Sequence, residues 1–372
     1  MWVESDKSVH IVVDMHITDR VGMERTGVGR YAIESTLALC RARPSWRFTV
    51  MSNRPELIDA SNVVVQATDW PTHRAGVRVA WLHSGSAWET RSLRPDLWLG
   101  TAFTLPWWWR GRSIVTIHDL MFLELRSMYS SRVHSAYASR ATRWAARHAD
   151  RIVCPSSETV RRLERHFGIP RAKTQVMFYG VSESFLRELP RPDALAEPYL
   201  LFVGTFEPRK GLPELCRAIE RLNESRERPI RLTVAGRPGW GVSETLDELR
   251  VDPNVEIRID PTDAELAALY GGAVALVYPS LAEGFGLPVA EAMACGTPVI
   301  ASDLECIRDY ALDAPLYVQP GDVERIAAHV TQLLEDEDIR NRHITLGRAI
   351  ASDLRWQSVG DRTAVLIEQV LG

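Results

Sequence analysis

The sequence predicts an α/β protein composed of two doubly wound, Rossmann-like domains. Short apolar runs alternate with helical patterns along the whole chain, as in parallel sheets that are covered by helices. The chain has 372 residues, more than one hydrophobic core usually contains, so two domains are expected. A polar stretch with two prolines at 186–197 interrupts the alternation, which then starts again. We therefore predict an N-terminal domain of residues 1–190 and a C-terminal domain of residues 191–351.

The N-terminal domain is predicted from six short apolar runs and three stretches of helical periodicity. The runs have the length of buried strands and lie at 10–15, 47–51, 62–65, 97–99, 113–117 and 151–154. The helical stretches lie at 29–41, 130–148 and 157–167. No internal repeat interrupts this order.

The C-terminal domain repeats the same organisation. Its predicted strands lie at 199–203, 230–235, 273–278 and 298–301, with a helix at 211–222 and another between the last two strands. An amphipathic segment at 352–372 is predicted to form a final helix. Open parallel sheets bind ligands at the carboxyl ends of their strands, so we expect the chemistry in a cleft between the two domains.

Composition and cysteine usage indicate a cytoplasmic globular protein. Hydrophobic residues make up 45% of the chain and charged residues 25%, which excludes wholesale disorder. No apolar run approaches the ~20 residues of a membrane-spanning helix, and the first residues lack the pattern of a secretory signal. The five scattered cysteines have no metal-ligand or disulfide-like spacing, so we expect reduced thiols.

Charge is unevenly divided between the two halves of the chain. Residues 1–190 contain 26 Lys and Arg against 18 Asp and Glu, a net charge of +8, whereas the remainder carries −12. This imbalance suits contact with an anionic membrane surface or a phosphorylated acceptor, and solvated surface charge is the alternative. No nucleic acid partner is expected.

Two features of the N-terminal half are candidates for acceptor or membrane contact. Trp107, Trp108 and Trp109 follow one another in a loop, and three consecutive indoles cannot all point into one core. A helix at 130–151 carries four arginines in an amphipathic pattern, which suits peripheral binding to the inner face of a membrane. Ordinary packing within the domain is the alternative for both features.

The densest motif lies at 278–302, where the sequence reads YPSLAEGFGLPVAEAMACGTPVIAS. A glycine-containing turn follows a strand here and leads into a helix. Glycines before a helix N-terminus expose backbone N–H groups at the positive end of the helix dipole, which suits a diphosphate. The predicted donor-binding residues of this turn are Gly284, Phe285, Gly286 and Leu287.

Two glutamates, Glu283 and Glu291, flank this turn eight positions apart. A carboxylate can accept hydrogen bonds from two hydroxyls, which is how proteins commonly hold sugar or ribose diols. Alternatively, Glu291 lies in the first turn of the helix and complements its dipole, and Glu283 is a turn residue. The combination of both carboxylates with the intervening glycines favours a binding function.

A second motif, FVGTFEPRKG at 202–211, ends a predicted strand at Gly204 and leads into a helix. Its adjacent cations, Arg209 and Lys210, lie in the connecting loop. Fixed cations beside a phosphate on which charge develops contribute strongly to catalysis. An adjacent Arg–Lys pair is usually only solvated, but its position between a strand and a helix favours an anion site.

The motif at 278–302 resembles the signature of family 4 of the retaining glycosyltransferases with the GT-B fold, in which seven residues separate two glutamates. FVGTFEPRKG is similar to the family's cation loop, and the resemblance covers nearly the full chain. It implies that Arg209 and Lys210 hold the donor diphosphate and stabilise the leaving group. It also implies that Glu291 holds the ribose hydroxyls and that Glu283 orients the donor sugar.

Two further motifs of the N-terminal half match this family. TGVGRY at 26–31 is similar to its glycine loop, so Gly27 and Gly29 would approach the reaction centre; an ordinary tight turn is the alternative. A third glycine of the dinucleotide fingerprint is missing, which argues against NAD. His118 ends a predicted strand and would lie near the donor sugar, with a structural role as the alternative. The helix of 352–372 would cross back to the N-terminal domain.

The resemblance implies a hexosyltransferase that acts with retention on a nucleotide diphosphate sugar. Similarity to enzymes of polysaccharide biosynthesis favours GDP-mannose as donor, and the acceptor would be a glycan, a lipid-linked glycan or a natural product. No cofactor is expected, and we identify no Asp-x-Asp metal motif in any predicted loop, so activity is predicted to be metal-independent. The alternatives are a non-hydrolysing sugar-nucleotide epimerase and a sugar-nucleotide-binding protein that has lost catalysis.

Overall fold

A computed structural model describes residues 9–125, 132–187, 197–224 and 226–372. These residues form two compact units. The first contains the described residues within 1–124, 131–180 and 356–372, and the second consists mainly of those within 181–355. The predicted linker at 186–197 lies almost entirely outside the described residues. The structure therefore groups residues 181–187 with the second unit, whereas the sequence predicted a boundary at 190.

A parallel sheet of seven strands forms the centre of the first unit. Its order is β3-β2-β1-β4-β5-β6-β7, so the direction of strand addition reverses between β1 and β4. The central strands are almost wholly apolar because helices cover both faces of such a sheet. In chain order the strands are β1 (His10–Asp14), β2 (Arg47–Met51), β3 (Val63–Gln66), β4 (Leu97–Gly100), β5 (Arg112–Thr116), β6 (Arg151–Cys154) and β7 (Thr174–Val176).

The helices of the first unit have clear local signals at their ends. For example, the Ser156 side chain accepts a hydrogen bond from the Thr159 N–H at the start of α6, and Gly168 ends that helix in the left-handed conformation. The α-helices are α1 (Gly27–Ala42), α2 (Ala75–Ala80), α3 (Ser86–Thr90), α4 (Met121–Glu124), α5 (Arg132–His148) and α6 (Ser157–Phe167). A π-helical turn (Trp81–Gly85) joins α2 to α3.

The final helix of the chain also belongs to the first unit. It runs from Trp356 to Leu371 and packs along α1. Its apolar face is buried, and Arg43 Nε donates to Glu368 Oε1 at 2.8 Å beside this contact. The chain therefore contributes its last helix to the unit in which it began.

The second unit contains a parallel sheet of six strands in the order β10-β9-β8-β11-β12-β13. Its strands are β8 (Tyr199–Phe206), β9 (Arg231–Pro238), β10 (Val255–Ile259), β11 (Ala275–Tyr278), β12 (Val299–Ser302) and β13 (Leu316–Val318). Its helices are α7 (Glu183–Leu186), α8 (Leu212–Asn223), α9 (Ser243–Val251), α10 (Asp263–Gly272), α11 (Leu287–Ala294), α12 (Glu305–Ala311), α13 (Val323–Glu335) and α14 (Glu337–Asp353). The final helix of the chain, which belongs to the first unit, is therefore numbered α15 (Trp356–Leu371). Apolar side chains from β8, β9, β11, α8 and α13 form most of the core.

The sequence predicted all central strands within two or three residues of their observed ends, but it missed β7, β10 and β13. These three lie at sheet edges, where one side of each strand has no neighbour. They are short or partly exposed and lack the continuous apolar run of a central strand. Two ends were also predicted too early: β8 continues to Phe206 and does not stop at Gly204, and β9 continues to Pro238 and does not stop at 235. Among the helices of the described residues, none is long and apolar enough to span a bilayer.

Candidate active site

The candidate site of the second unit lies where the order of its strands reverses. β8 and β11 are neighbours, whereas the chain continues from β8 to β9 on the other side. Open α/β sheets bind ligands outside the carboxyl ends of their strands at such a position. The segment after β8 carries Arg209 and Lys210, and the segment after β11 carries Glu283. Neighbouring strands therefore bring two motifs that are distant in sequence to one place.

Lys210 and Glu283 form a buried ion pair. Lys210 Nζ donates to Glu283 Oε1 at 2.6 Å and to Tyr278 Oη at 3.0 Å. Tyr278 Oη in turn donates to Glu283 Oε1 at 2.8 Å. Lys210 is 7% exposed and Glu283 is 6% exposed, so neither charge is solvated from outside. Opposite charges that are hydrogen-bonded to each other and to a hydroxyl can be buried in this way.

Arg209 supplies a second cation to the same carboxylate. Its Nη1 lies 3.2 Å from Glu283 Oε2, and its Nε donates to Glu207 Oε2 at 2.8 Å. The backbones of the two loops are also joined, because the Leu281 N–H donates to the Arg209 carbonyl at 2.7 Å. Both carboxylate oxygens of Glu283 therefore face a cation, and the two loops form one rigid cluster.

The protonation state of Glu283 follows from these contacts. Burial raises the pKa of its carboxyl, but Lys210 and Arg209, with the hydrogen bonds from Lys210 and Tyr278, outweigh burial and lower the pKa to about 2. Burial lowers the pKa of the Lys210 ammonium, and Glu283 opposes that change. Glu283 is therefore ionised at neutral pH, and its carboxylate opposes the effect of burial on the Lys210 ammonium.

Glu291 lies on α11, but not in the first turn, where it was predicted. Gly286 caps the helix, which places Leu287 first and Pro288 second, so Glu291 is the fifth residue and no acidic residue occupies the first turn. The helix-dipole explanation for Glu291 is therefore wrong. Instead, the buried Glu291 carboxylate accepts a hydrogen bond from Tyr270 Oη at 3.1 Å.

The glycine-containing turn before α11 is buried as a whole. Gly284, Phe285 and Leu287 have little exposure, and the Phe285 ring stacks on Tyr310 with 4.3 Å between centroids. Gly286 has a φ of +94°, which other L residues rarely adopt, and its carbonyl accepts from Tyr310 Oη at 3.0 Å. The four residues predicted to bind the donor thus form one fixed turn between the two glutamates.

Three buried tyrosines that the sequence analysis did not single out hold this site in place. Tyr278 contacts Glu283, Tyr270 contacts Glu291 and Tyr310 contacts the glycine turn. Burial raises the pKa of each hydroxyl well above its ordinary value, so each acts as a neutral donor. Tyr278 ends an apolar strand and resembled a core residue. The usable signal was that a buried tyrosine hydroxyl needs a hydrogen-bond partner.

Gly204 lies beside this cluster within β8. A Cβ atom at this position would lie 3.7 Å from Lys210 Cε, in ordinary contact with the lysine stem. The predicted residues Gly204, Arg209, Lys210 and Glu283 are thus brought to the carboxyl ends of β8 and β11, together with the turn from Gly284 to Leu287.

In the first unit, His118 follows β5 and is buried. Its Nε2 donates to the Thr101 carbonyl at 2.9 Å, and its Nδ1 accepts a short hydrogen bond from Tyr179 Oη. Burial lowers the pKa of the imidazole to about 4, so the ring is neutral at pH 7. Both ring nitrogens are engaged, which fixes the tautomer. His118 therefore offers a fixed, uncharged ring at the carboxyl edge of the first sheet.

Gly27 and Gly29 both lie in the first turn of α1, which begins at Gly27. The Gly29 N–H already donates to the capping Thr26 Oγ1 at 3.1 Å. A Cβ atom at Gly29 would come within 1.8 Å of the Met23 carbonyl oxygen, so close backbone packing requires glycine here. The structure thus gives Gly29 a packing role. The predicted approach of Gly27 and Gly29 to the donor stays a prediction.

The tryptophan loop divides between core and surface. Trp108 and Trp109 each lie 5.6 Å from the buried Trp98 ring, measured between centroids. Trp107 is 45% exposed and stacks on His83 at 3.9 Å. On α5, three of the predicted arginines are exposed: Arg140, Arg143 and Arg147. Contact of these surfaces with a membrane stays a prediction.

No group of three or more histidine, cysteine, aspartate or glutamate side chains in the described parts of the chain could hold a metal ion. The chain does contain an Asp-x-Asp triplet at 336–338. It lies at the start of α14, where Asp336 Oδ1 accepts from the Ile339 N–H at 2.9 Å as a helix cap.

Comparison with known proteins gives matches in both halves of the chain. Residues 25–185 match the family model described as Glycosyltransferase Family 4, and residues 190–349 match the one described as Glycosyl transferases group 1. O-antigen chain mannosyltransferase B of Escherichia coli is 27% identical, with 93% of this chain and 97% of that protein covered. MMP alpha-(1→4)-mannosyltransferase of Mycolicibacterium hassiacum is 29% identical, with 61% of this chain and 56% of that protein covered.

Solved structures share the architecture at lower identity. Sucrose-phosphate synthase of Thermosynechococcus elongatus has a TM-score of 0.77 and 21% identity, with 97% of this chain and 99% of the other covered. Anabaena HepE in complex with UDP and glucose has a TM-score of 0.74 and 16% identity, with 97% of this chain and 100% of the other covered. The predicted fold class, two doubly wound units of the GT-B type, is confirmed.

Proposed function

Because this chain belongs to the glycosyltransferases that these family models describe, we propose that it transfers a hexose from a nucleotide diphosphate sugar with retention of the anomeric configuration. The observation that carries this proposal is the cluster of Arg209, Lys210 and Glu283 at the point where the strand order of the second sheet reverses. Cations fixed there suit a diphosphate, and the adjacent carboxylate suits sugar hydroxyls.

Lys210 has the donors that such a diphosphate requires. An ammonium group carries three N–H donors, and two of them already bind Tyr278 and Glu283. Because the lysine stem is buried and these two hydrogen bonds hold Nζ in place, the direction of the third N–H is also fixed. The cation is therefore in place before the reaction, which is the condition under which a charged group stabilises a developing phosphate charge most effectively.

In the proposed reaction, the bond between the anomeric carbon and the diphosphate oxygen breaks as the acceptor oxygen approaches the same face of the sugar. The electron pair of the broken bond leaves on the nucleoside diphosphate, where Arg209 and Lys210 stabilise the charge. The acceptor proton passes to the leaving phosphate oxygen. No protein nucleophile is needed in this reaction. Lys210 and Arg209 hold the Glu283 carboxylate in place, and we assign its remaining acceptor position to the donor sugar hydroxyls. Glu291 holds the ribose hydroxyls.

The nature of the donor is supported by the comparisons. HepE of Anabaena was crystallised with UDP and glucose, which fits a nucleotide diphosphate sugar as donor here. Several curated relatives are mannosyltransferases, and two of those act in O-antigen synthesis by name, which favours mannose and a glycan acceptor. We therefore propose GDP-mannose as the first donor to test, followed by UDP-glucose.

The experiment that tests this function is a panel of nucleotide sugars, each measured by thermal shift and then by transfer or hydrolysis of the sugar. We expect one donor to raise the melting temperature and to be turned over. Lys210→Ala should abolish turnover, whereas Arg221→Ala, which removes an exposed cation on α8, should leave it unchanged. Normal turnover by Lys210→Ala, or binding of no nucleotide sugar, would overturn the proposal.

A further inference from the structure

Strand β10 (Val255–Ile259) forms one edge of the second sheet, and its outer side is open. β9 is its neighbour on one side, and no strand of the described residues lies on the other. The Asn254 carbonyl accepts from the Leu232 N–H at 2.9 Å on the β9 side. The Asp260 N–H donates to the Gly236 carbonyl at 2.7 Å on the same side. Because backbone groups alternate along a strand, the N–H and C=O groups of residues 255, 257 and 259 point away from the sheet.

The side chains of β10 follow the same pattern in both directions from Ile257. The strand reads VEIRI, with apolar residues on one face and two charges on the other. Val255 and Ile257 are partly buried, whereas Ile259 is 53% exposed. Glu256 and Arg258 form an exposed ion pair on the charged face. Charges on an edge strand usually deter pairing with another chain. Here the two charges have opposite signs, so they can also attract a strand of the same sequence.

A second copy of β10 can pair with this edge in one antiparallel register. When the two-fold axis passes between the two copies of Ile257, these residues exchange both backbone hydrogen bonds, because their N–H and C=O groups point outward. The Ile259 N–H then meets the Val255 carbonyl of the second copy. On the charged face, Glu256 lies directly opposite Arg258 of the second copy, with Cβ atoms about 5 Å apart, where opposite charges stabilise a strand pair.

Charge selects this register over the neighbouring ones. A shift by two residues keeps the faces of both strands but places Glu256 opposite Glu256, or Arg258 opposite Arg258. Like charges that lie directly opposite each other destabilise a strand pair. A shift by one residue places apolar side chains on the charged face. The strand is therefore complementary to itself only about Ile257.

We propose that a second copy of this chain binds along β10, so that two six-stranded sheets join across a two-fold axis. The occupant is a second copy because the same five residues supply the complementary charges, the apolar face and the outward backbone groups. The candidate active site lies at β8 and β11, and β9 separates these strands from the open edge. The proposal is therefore independent of the proposed function.

Sedimentation velocity of the full chain over a range of concentrations tests this interface. We expect the wild type to form a dimer whose fraction rises with concentration. Arg258→Glu should weaken dimerisation by about tenfold or more, because repulsion replaces attraction at both symmetric positions. Arg217→Glu is the matched control, since Arg217 pairs with Glu214 on α8 and is 58% exposed, as Arg258 is. This control should dimerise as the wild type does.

Exchange of the charges between two variants tests the register. Glu256→Arg alone should also dimerise at least about tenfold more weakly, since it places like charges opposite each other. An equal mixture of Glu256→Arg and Arg258→Glu should form a mixed dimer, in which every opposed pair again has opposite signs. Ile257→Pro tests the backbone contact without a change of charge. The Ile257 N–H points outward, so proline removes a bond between the copies and none to β9.

Circular dichroism should show that all of these variants are folded. The proposal is overturned if the wild type stays monomeric at the highest attainable concentration, or if Arg258→Glu dimerises as the wild type does. It is also overturned if the mixture of the two charge variants stays monomeric, or if folded Ile257→Pro dimerises with undiminished affinity.

Discussion

Lys210 Nζ lies 2.6 Å from Glu283 Oε1, although 73 positions separate the two residues along the chain. The contact exists because β8 and β11 are adjacent and parallel, so the segments that follow them begin at the same edge of the sheet. The strand order of the second sheet therefore brings the cation motif and the acidic motif into direct contact. Four predictions follow from this arrangement and from the buried histidine of the first unit.

Glu283→Gln should remove the charge of the site while keeping its shape. We expect kcat/KM to fall by about 10²–10³-fold, the usual effect of removing one group from a preorganised charge site. We also expect the free energy of unfolding to fall by about 3 kcal/mol, because Lys210 stays buried without its anion. Glu324→Gln breaks the exposed ion pair with Arg221 and should change the free energy of unfolding by less than about 1 kcal/mol. Urea unfolding gives the free energy of unfolding of both variants. An equal loss in Glu283→Gln and Glu324→Gln would contradict the account.

Tyr278→Phe and Tyr270→Phe should separate the roles of the two glutamates. Tyr278 positions Glu283, which faces the donor sugar, so its loss should lower kcat by about tenfold with little change in donor KM. Tyr270 positions Glu291, which holds the ribose, so its loss should mainly raise donor KM. Steady-state kinetics with the identified donor decides this, and the same change of kcat and KM in both variants would refute separate roles.

The N-terminal unit should lose stability between about pH 6.5 and pH 4. Burial lowers the pKa of His118 to about 4, so the unfolded chain takes up this proton first as the pH falls. The stability that His118 contributes is fully present above the pKa of a histidine in the unfolded chain. It is lost, by up to about 3 kcal/mol, as the pH falls to the pKa of His118 in the folded protein. His118→Gln should flatten this part of the profile, and His148→Gln, at an exposed position, should not. Identical profiles for wild type and His118→Gln would contradict the buried, neutral state.

Removal of divalent metals should leave transfer unchanged. Arg209 and Lys210 supply the positive charge that a metal would otherwise bring to the diphosphate. We expect the same kcat in the presence of EDTA and after addition of Mg²⁺ or Mn²⁺, measured at saturating donor. A loss of activity in EDTA that Mg²⁺ restores would show that the cations of the cluster are not sufficient.

Much of this site could be predicted from the sequence. The turn residues around Glu283 and the cations after β8 stand in short motifs whose position between a strand and a helix is visible in the apolar pattern. What the pattern could not give was the partner of each group. Tyr278 has the apolar context of a core residue, and only the neighbouring strand shows that its hydroxyl meets both Lys210 and Glu283.

Helix phase and strand ends account for most of the remaining differences. Glu291 was assigned to the first turn because Pro288 is a favourable first residue of a helix. In the structure the left-handed Gly286 caps the helix, which therefore begins at Leu287, one residue earlier. The packing of Gly29 was also not predicted: its amide donates to Thr26 Oγ1, and its missing side chain leaves room for the Met23 carbonyl. These differences are local, because they depend on which residue caps each helix, and the apolar pattern alone does not fix that residue.

The most direct measurement is a crystal structure of the chain with its nucleotide diphosphate sugar bound. The account predicts that Lys210 Nζ and the Arg209 guanidinium contact the diphosphate oxygens at about 2.7–2.9 Å, the usual length of charge-assisted hydrogen bonds. Glu291 should accept from the ribose hydroxyls and Glu283 should face the hexose. A diphosphate bound away from Arg209 and Lys210, with the Lys210–Glu283 pair untouched by the donor, would contradict it.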